Sequence, residues 1–425
     1  MNTIHKAIIL AAISFCTFAA HAENSLRLED AIKSTLQHNP QLAGYEFRVK
    51  ALQGERQTAA LKPQMHISTH LENIAGTGDF KGLDSAELTL SLSSVIELSE
   101  QRDARVGVVT ARQQQLDSTQ RVLTLDVLTQ VTRQFIVLAS AQEQLKLLQQ
   151  TQQLTQENVT SLNKYVQTGH TPEADLLRAK AMFARANIAV KKAQQEFDGE
   201  RIKLSAFWAE IAPTFTRVEA DLFTLPAAVP LSALVNQLEN NPDLATLGDE
   251  INLRTAELRE AQAAQKTNME WSAGVRRLQM SDDSALVMGL RMPLGSGSRA
   301  SGAIATASAH QAAAEQTRTA TRVQLHAQLV SLHGAYHNAL AELQSLRSEV
   351  LPALQQAMRA TSNAFNQGRY SYLELNLAQR ELLDTQLAII DAAARAHVLN
   401  TEIERLTGSA FAHAPLINSE SRIQP

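Results

Sequence analysis

The sequence predicts a mainly α-helical protein with a small β part, built as two tandem repeats of a long helical hairpin and a β-hairpin. Residues 103–210 are poor in glycine and rich in helix-forming residues, with a single break. Four short segments instead alternate apolar and polar residues with a period of two, as strands with one apolar face do. Short helices, strand pair and long helix then recur in the same order, which indicates a duplication.

The composition favours long helices with narrow apolar seams over a thick globular core. Aromatic residues make up 4% of the 425 residues, and the chain holds 17 glycines and 11 prolines, which is sparse for this length. The formal net charge is −4 and no basic patch stands out. The sequence therefore gives no support for nucleic-acid binding.

The N-terminus has the three parts of a secretory signal peptide. Lys6 precedes an apolar run over residues 7–20, and an Ala-His-Ala cleavage site follows at its end. We therefore predict that residues 1–22 are a signal peptide and are removed. An uncleaved anchor helix is the alternative, but the apolar run is short for one.

The only cysteine, Cys16, lies inside this segment. Lipid attachment there is disfavoured, because Phe15 is bulky where such signals have a small residue. The mature chain then has no cysteine for disulfides or thiolate metal sites. No later segment approaches the roughly 20 apolar residues of a membrane-spanning helix, so membrane entry is expected only through β-strands.

The first predicted repeat covers residues 23–230. Short helices come first, and strands follow at about residues 64–73 and 86–97, separated by a glycine-rich loop. The long helix after them is predicted to turn back near Gly169. At 1.5 Å per residue its first arm would span roughly 95 Å, which suits an extended molecule better than a compact domain.

The break in the long helix is predicted to be a tight turn between antiparallel helices. Gly169 accepts the positive φ that a helix C-terminus favours. Thr171 is predicted to cap the next helix, and Pro172 suits its first turn.

The second predicted repeat begins with the same motif as the first. Residues 39–42 read Asn-Pro-Gln-Leu, and residues 241–244 read Asn-Pro-Asp-Leu. The predicted boundaries are 231–410 for the repeat, about 268–278 and 285–293 for its strands, near Gly368 for its turn, and 411–425 for a flexible C-terminal tail.

Four strands are too few to close a transmembrane barrel, because bilayer barrels need at least about eight. Open sheet edges would also leave backbone groups unpaired in hydrocarbon. Three copies of the chain would supply twelve strands, and their long helices would close into a hollow cylinder. This arrangement is typical of a conduit.

These features resemble the TolC-type outer-membrane efflux factors. The signal peptide, the repeated Asn-Pro motif, the two strand pairs and the hairpins turning at Gly169 and Gly368 carry the resemblance across the mature chain. Residues 95–105 resemble the glutamate-leucine-glycine-glycine-lysine-arginine stretch of the CzcC-like heavy-metal branch. Ser99 and Glu100 stand where that branch has glycines.

The resemblance implies a homotrimer in the cell outer membrane, with a 12-stranded β-barrel in the lipid and a long periplasmic α-helical barrel. It implies docking to a periplasmic adaptor (membrane fusion) protein and an inner-membrane RND-type pump. It further implies passive export of heavy-metal cations, with no cofactor and no enzymatic activity.

The resemblance also places a gate at the periplasmic tip, where acidic side chains ring the pore. Asp175 and Glu374 each lie six residues after a turn glycine, Gly169 and Gly368. In a trimer each would form a ring of three like charges that attracts cations. The alternative is that each acid only complements the positive end of its own helix dipole.

The latch that some family members use is not matched in this sequence. Phe365 and Tyr370 stand where those members have tyrosine and arginine. Arg369 is near enough to replace the arginine, so we include it among the predicted gate residues.

Two histidine pairs are weaker candidates for cation binding. His333 and His337 are four apart on a helix and could share a metal ion, but no third ligand is evident. His66 and His70 lie on the polar side of a strand. In both cases ordinary polar residues on a wet surface are the simpler interpretation, so no metal site is predicted.

Other functions stay open at this point. Within the channel class the alternatives are drug export and type I protein secretion. Outside the channel class, the alternative is a periplasmic coiled-coil scaffold. The four amphipathic strands at duplicated positions argue against a scaffold. An enzyme is a third option without any motif behind it.

Overall fold

The computed structural model describes residues 25–98 and 100–408. The predictions for the signal peptide, for Cys16, for Ser99 and for the tail at 411–425 lie outside the described residues.

The described chain is mainly helical, with one four-stranded sheet and one two-stranded sheet. Its elements in chain order are β1 (Ser25–Leu26), α1 (Leu28–His38), α2 (Pro40–Ala43), α3 (Tyr45–Ala59), β2 (His66–Glu72), β3 (Glu87–Ile96), α4 (Gln101–Gln167), α5 (Glu173–Ser205), β4 (Arg217–Val218), α6 (Leu231–Leu238), α7 (Pro242–Ala263), β5 (Met269–Leu278), β6 (Asp283–Arg291), α8 (Ser296–Ser345), α9 (Leu351–Asn366) and α10 (Tyr372–Thr407).

The four long strands form one antiparallel sheet in the order β2-β3-β5-β6. They lie within a few residues of the period-two segments, and each β-hairpin is contributed by a different half of the chain. The outer strands β2 and β6 each pair on one side only within the described residues. The division of the chain into two repeats at residue 230 stays a prediction.

The asparagine of the repeated Asn-Pro motif makes equivalent hydrogen bonds in both halves. The side-chain oxygen of Asn39 and that of Asn241 each accept two hydrogen bonds from the backbone N–H groups that open the following helix. Each side-chain amide also donates to a distant carbonyl, to Phe207 at 2.8 Å and to Leu406 at 2.6 Å. The motif therefore joins the start of each half to its end.

Helix α4 lies at the centre of the packing and contacts α3, α5, α7 and α10. Val131, Phe135 and Leu138 on its buried stripe are at most 4% exposed and pack in one cluster with Leu204 of α5. This is the seam that spacings of three and four residues predict.

A largely buried arginine, with 13% of its side chain exposed, connects three helices. Arg405 of α10 donates to both oxygens of Asp243 in α7, at 2.7 and 3.0 Å, and to Asp126 in α4 at 2.6 Å. These carboxylates hold the pKa of Arg405 above its usual value although burial acts in the opposite direction.

Three details differ from the sequence predictions. Among the described residues α4 is long and apolar enough, by length and composition, to cross a membrane, so the prediction that no such segment follows the signal peptide is wrong. Half of its most apolar window is buried inside the structure. The parallel pairing of β1 with β4 was not predicted, because two-residue strands carry no periodic signal. A π-helical turn at Leu346–Val350 precedes Pro352, whose missing N–H interrupts the helical hydrogen bonding.

Candidate functional site

The four-stranded sheet has one apolar and one polar face. The strand register places Ile67, Leu92, Ala273 and Met288 side by side across all four strands on the apolar face. Met288 and its neighbour Leu286 are 84% and 83% exposed. An apolar surface of this extent on an antiparallel sheet needs a nonaqueous partner, because its exposure to water is unfavourable.

The polar face carries a network of charged residues. The guanidinium of Arg276 on β5 donates to Thr89 and Glu87 on β3, both at 2.9 Å, and to Glu72 on β2 at 3.3 Å. Acidic residues outnumber basic ones on this face, with Glu72, Glu87, Glu270 and Asp283 against Arg276 and Arg291. The face is therefore hydrophilic and carries a net negative charge.

His66 and His70 lie on this polar face of the edge strand β2, and both are exposed. The register places them directly opposite Ser93 and Thr89 on β3. In the described part of the chain, no group of three or more His, Cys, Asp or Glu side chains is arranged to hold a metal ion.

At the other end of the long helices, both predicted turns contain a glycine with positive φ. Gly169 has φ 73° and Gly368 has φ 69°, values that an L side chain adopts only with strain. The residue after each glycine donates its backbone N–H to the preceding helix. The prediction that Thr171 caps α5 is wrong, because Pro172 is the N-cap residue and no side chain caps that end.

The two acids predicted to form a gate have different surroundings. Asp175 is buried, at 8% exposure, and Arg178 donates to its carboxylate at 3.3 Å. Glu374 is exposed and completes a capping box, in which it accepts from the hydroxyl and the backbone N–H of Ser371. These hydrogen bonds lower the pKa of Glu374, so it is charged at neutral pH.

Phe365, Arg369 and Tyr370, the remaining residues considered for the tip, differ in their contacts. Phe365 makes edge contacts with the rings of Tyr165 and Tyr372, at centroid distances of 6.3 and 6.4 Å. Arg369 donates to Gln367, and Tyr370 is 50% exposed. The described contacts of Arg369 therefore do not join it to an acidic residue of its own chain.

The tips of the two hairpins pack against each other through a core that the sequence reasoning missed. Tyr372, which is 1% exposed, lies with Leu162, Leu176, Ala179 and Leu375 in one buried cluster. Burial raises the pKa of the Tyr372 hydroxyl. The available signal was the matching apolar pair after each turn, Leu176 and Leu375.

The histidine pair on α8 is brought together by the structure. The Nε2 atoms of His333 and His337 are 3.2 Å apart, and the carbonyl of Val229 lies 3.2 Å from Nε2 of His333.

Comparison with known proteins adds sequence and fold relationships. Residues 31–210 and 233–409 match the family described as outer membrane efflux protein. The chain is 24% identical to the cobalt-zinc-cadmium resistance protein CzcC of Cupriavidus metallidurans over 391 aligned residues. This alignment covers 92% of each chain.

Solved structures have the same fold. CusC, whose structures describe transmembrane channel formation, aligns with a TM-score of 0.74 at 14% identity over 89% of this chain and 91% of its own. VceC, an outer membrane protein of Vibrio cholerae, aligns with a TM-score of 0.72 at 19% identity over 90% of this chain and 96% of its own. The predicted fold class is confirmed. None of these matched proteins is described as an enzyme.

Proposed function

The chain belongs to the outer membrane efflux protein family, and from this premise we propose that it forms the outer-membrane channel of a tripartite system that exports heavy-metal cations. The observation that carries the proposal is the sheet, which presents an exposed apolar face and an electronegative polar face. The relationship to a cobalt-zinc-cadmium resistance protein supports the choice of substrate.

A homotrimer would resolve the two unpaired sheet edges. In a bilayer every backbone polar group needs a partner, and within the described residues β2 and β6 each pair with a strand on one side only. Pairing β6 of one copy with β2 of the next would close a 12-stranded barrel. The row through Ile67 and Met288 would then face lipid, and the Arg276 network would face the water-filled lumen.

The helical hairpins would extend far into the periplasm. Helix α4 has 67 residues, which corresponds to roughly 100 Å at 1.5 Å per residue. Its far end leads into the turn at Gly169, and the turn at Gly368 lies beside it through the cluster around Tyr372, so these two tips are the parts that would meet a periplasmic adaptor protein. An inner-membrane RND-type pump would provide the energy, and passage through this component would be passive.

Deletion of the gene followed by a susceptibility panel tests the substrate class. We expect increased sensitivity to divalent metal cations, restored by the wild-type gene, with unchanged sensitivity to hydrophobic drugs and unchanged protein secretion. A strain with altered drug sensitivity or secretion, and with no change for any metal, would show that the metal assignment is wrong.

We also propose that Asp175 and Glu374 contribute to the gate at the tip. The test is the double variant Asp175→Asn, Glu374→Gln, because Gln at the third helical position preserves the capping box while the charge is removed. Single-channel recording in planar bilayers is expected to show higher conductance and weaker cation preference. Unchanged values for both quantities would assign the two acids to helix capping and local ion pairing alone.

A further inference from the structure

His333 and His337 face each other across one turn of α8, beside the segment that leads into α6. Their ring centroids are 4.4 Å apart, whereas their Nε2 atoms are only 3.2 Å apart. The rings therefore converge on their Nε2 sides. The carbonyl oxygen of Val229, from another part of the chain, lies 3.2 Å from Nε2 of His333.

The protons available at this point do not satisfy all three atoms. In a neutral imidazole only one nitrogen carries hydrogen, and a carbonyl oxygen is always an acceptor. If His333 donates from Nε2 to Val229, the same hydrogen is not free for His337. If His337 donates to His333 instead, the lone pair of His333 faces the carbonyl oxygen of Val229. Each neutral arrangement leaves one of the two contacts without a full hydrogen bond.

We propose that the Nε2 atoms of His333 and His337, assisted by the carbonyl oxygen of Val229, bind a divalent cation of the zinc, copper or nickel class. A cation placed about 2.0–2.1 Å from two nitrogens that are 3.2 Å apart has an N–metal–N angle of about 100–105°. This angle lies between the square and the tetrahedral values. Imidazole is a preferred ligand for these metals. With a cation bound, both Nε2 atoms and the carbonyl oxygen donate a lone pair to the metal, so the incompatible hydrogen-bond contacts are no longer needed.

The proposed site differs from a structural zinc site in its ligand number. Two imidazoles and one carbonyl leave positions for water, so the cation would exchange readily. Binding would also hold the segment before α6 against α8, because Val229 and the histidines belong to different elements. The proposal does not depend on the chain being an exporter, since the ligands and their geometry are properties of the isolated protein.

Electron paramagnetic resonance with Cu²⁺ tests the site directly. The whole mature protein is purified in detergent with an affinity tag that contains no histidine, and Cu²⁺ is added alone in a noncoordinating buffer. We expect one more tightly bound Cu²⁺ per chain in the wild type than in His337→Gln, with a spectrum that shows two equivalent imidazole nitrogens. His333→Gln is expected to lose the same ion.

His326→Gln is the matched control, because His326 is an exposed histidine on the same helix, two turns away. It should retain the wild-type stoichiometry and spectrum. Equal stoichiometry in the wild type and His337→Gln, or a spectrum with one nitrogen ligand, would overturn the proposal. Circular dichroism of each variant verifies that its helical content is retained, so that loss of the ion reports the ligand and not the fold.

Discussion

Replacing Asn241 by alanine tests whether the Asn-Pro motif joins the two ends of the second half. The side chain is 0% exposed; its oxygen caps α7 through two backbone N–H groups, and its amide donates to Leu406 at 2.6 Å. Loss of an N-cap costs about 0.5–2 kcal/mol. An unpaired buried carbonyl at Leu406 adds about 1–3 kcal/mol. Water cannot easily replace the amide, so we expect a total of about 2–4 kcal/mol.

Hydrogen–deuterium exchange measured by mass spectrometry localises this effect. We expect the peptides at the start of α7 and the end of α10 to exchange about 30- to 700-fold faster, since about 1.4 kcal/mol corresponds to a factor of ten. Asn240→Ala is the control, because Asn240 is the exposed neighbouring amide. If Asn241→Ala accelerates exchange no more than Asn240→Ala does, the proposed connection between the two ends is wrong.

Three further predictions concern stability. Arg405→Met removes the cation from two partly exposed aspartates and should cost about 1–3 kcal/mol in chemical denaturation, whereas the exposed control Arg395→Met should cost less than about 1 kcal/mol; equal losses would contradict this. Burial lowers the pKa of His397, so the unfolded chain binds more protons below about pH 6.5 and stability should fall as the pH drops through that value. His397→Gln should flatten this part of a melting-temperature profile, and an unchanged profile would exclude His397 as its source. Gly368→Ala forces a side chain into positive φ and should cost about 1–2 kcal/mol. The helical control Gly54→Ala, which meets nothing within 4 Å, should not destabilise, and a reversed order of the two melting temperatures would refute the argument.

Much of the fold was predictable from local patterns. The strands were found because Ile67 and Leu71 alternate with polar residues, and the turns because Gly169 and Gly368 follow long helical runs. The β1–β4 pairing was not found, because it joins segments far apart in the sequence and each strand has two residues.

The candidate site was predicted less completely. Equal spacing after the two glycines suggested equal roles for Asp175 and Glu374, but one is buried beside Arg178 and the other caps a helix at the surface. Tyr372 was overlooked because its burial depends on the packing of one hairpin against the other. Spacing along one helix carries no information about such a neighbour.

The sequence by itself determined the helical hairpins, the amphipathic strands and their duplication, because these follow from residue periodicity and turn chemistry within short segments. Only the tertiary structure decided that the strands form one sheet in the order β2-β3-β5-β6, and that the carbonyl of Val229 lies beside His333, which in turn contacts His337. These arrangements depend on contacts between distant segments and on side-chain directions, which the order of residues does not specify locally.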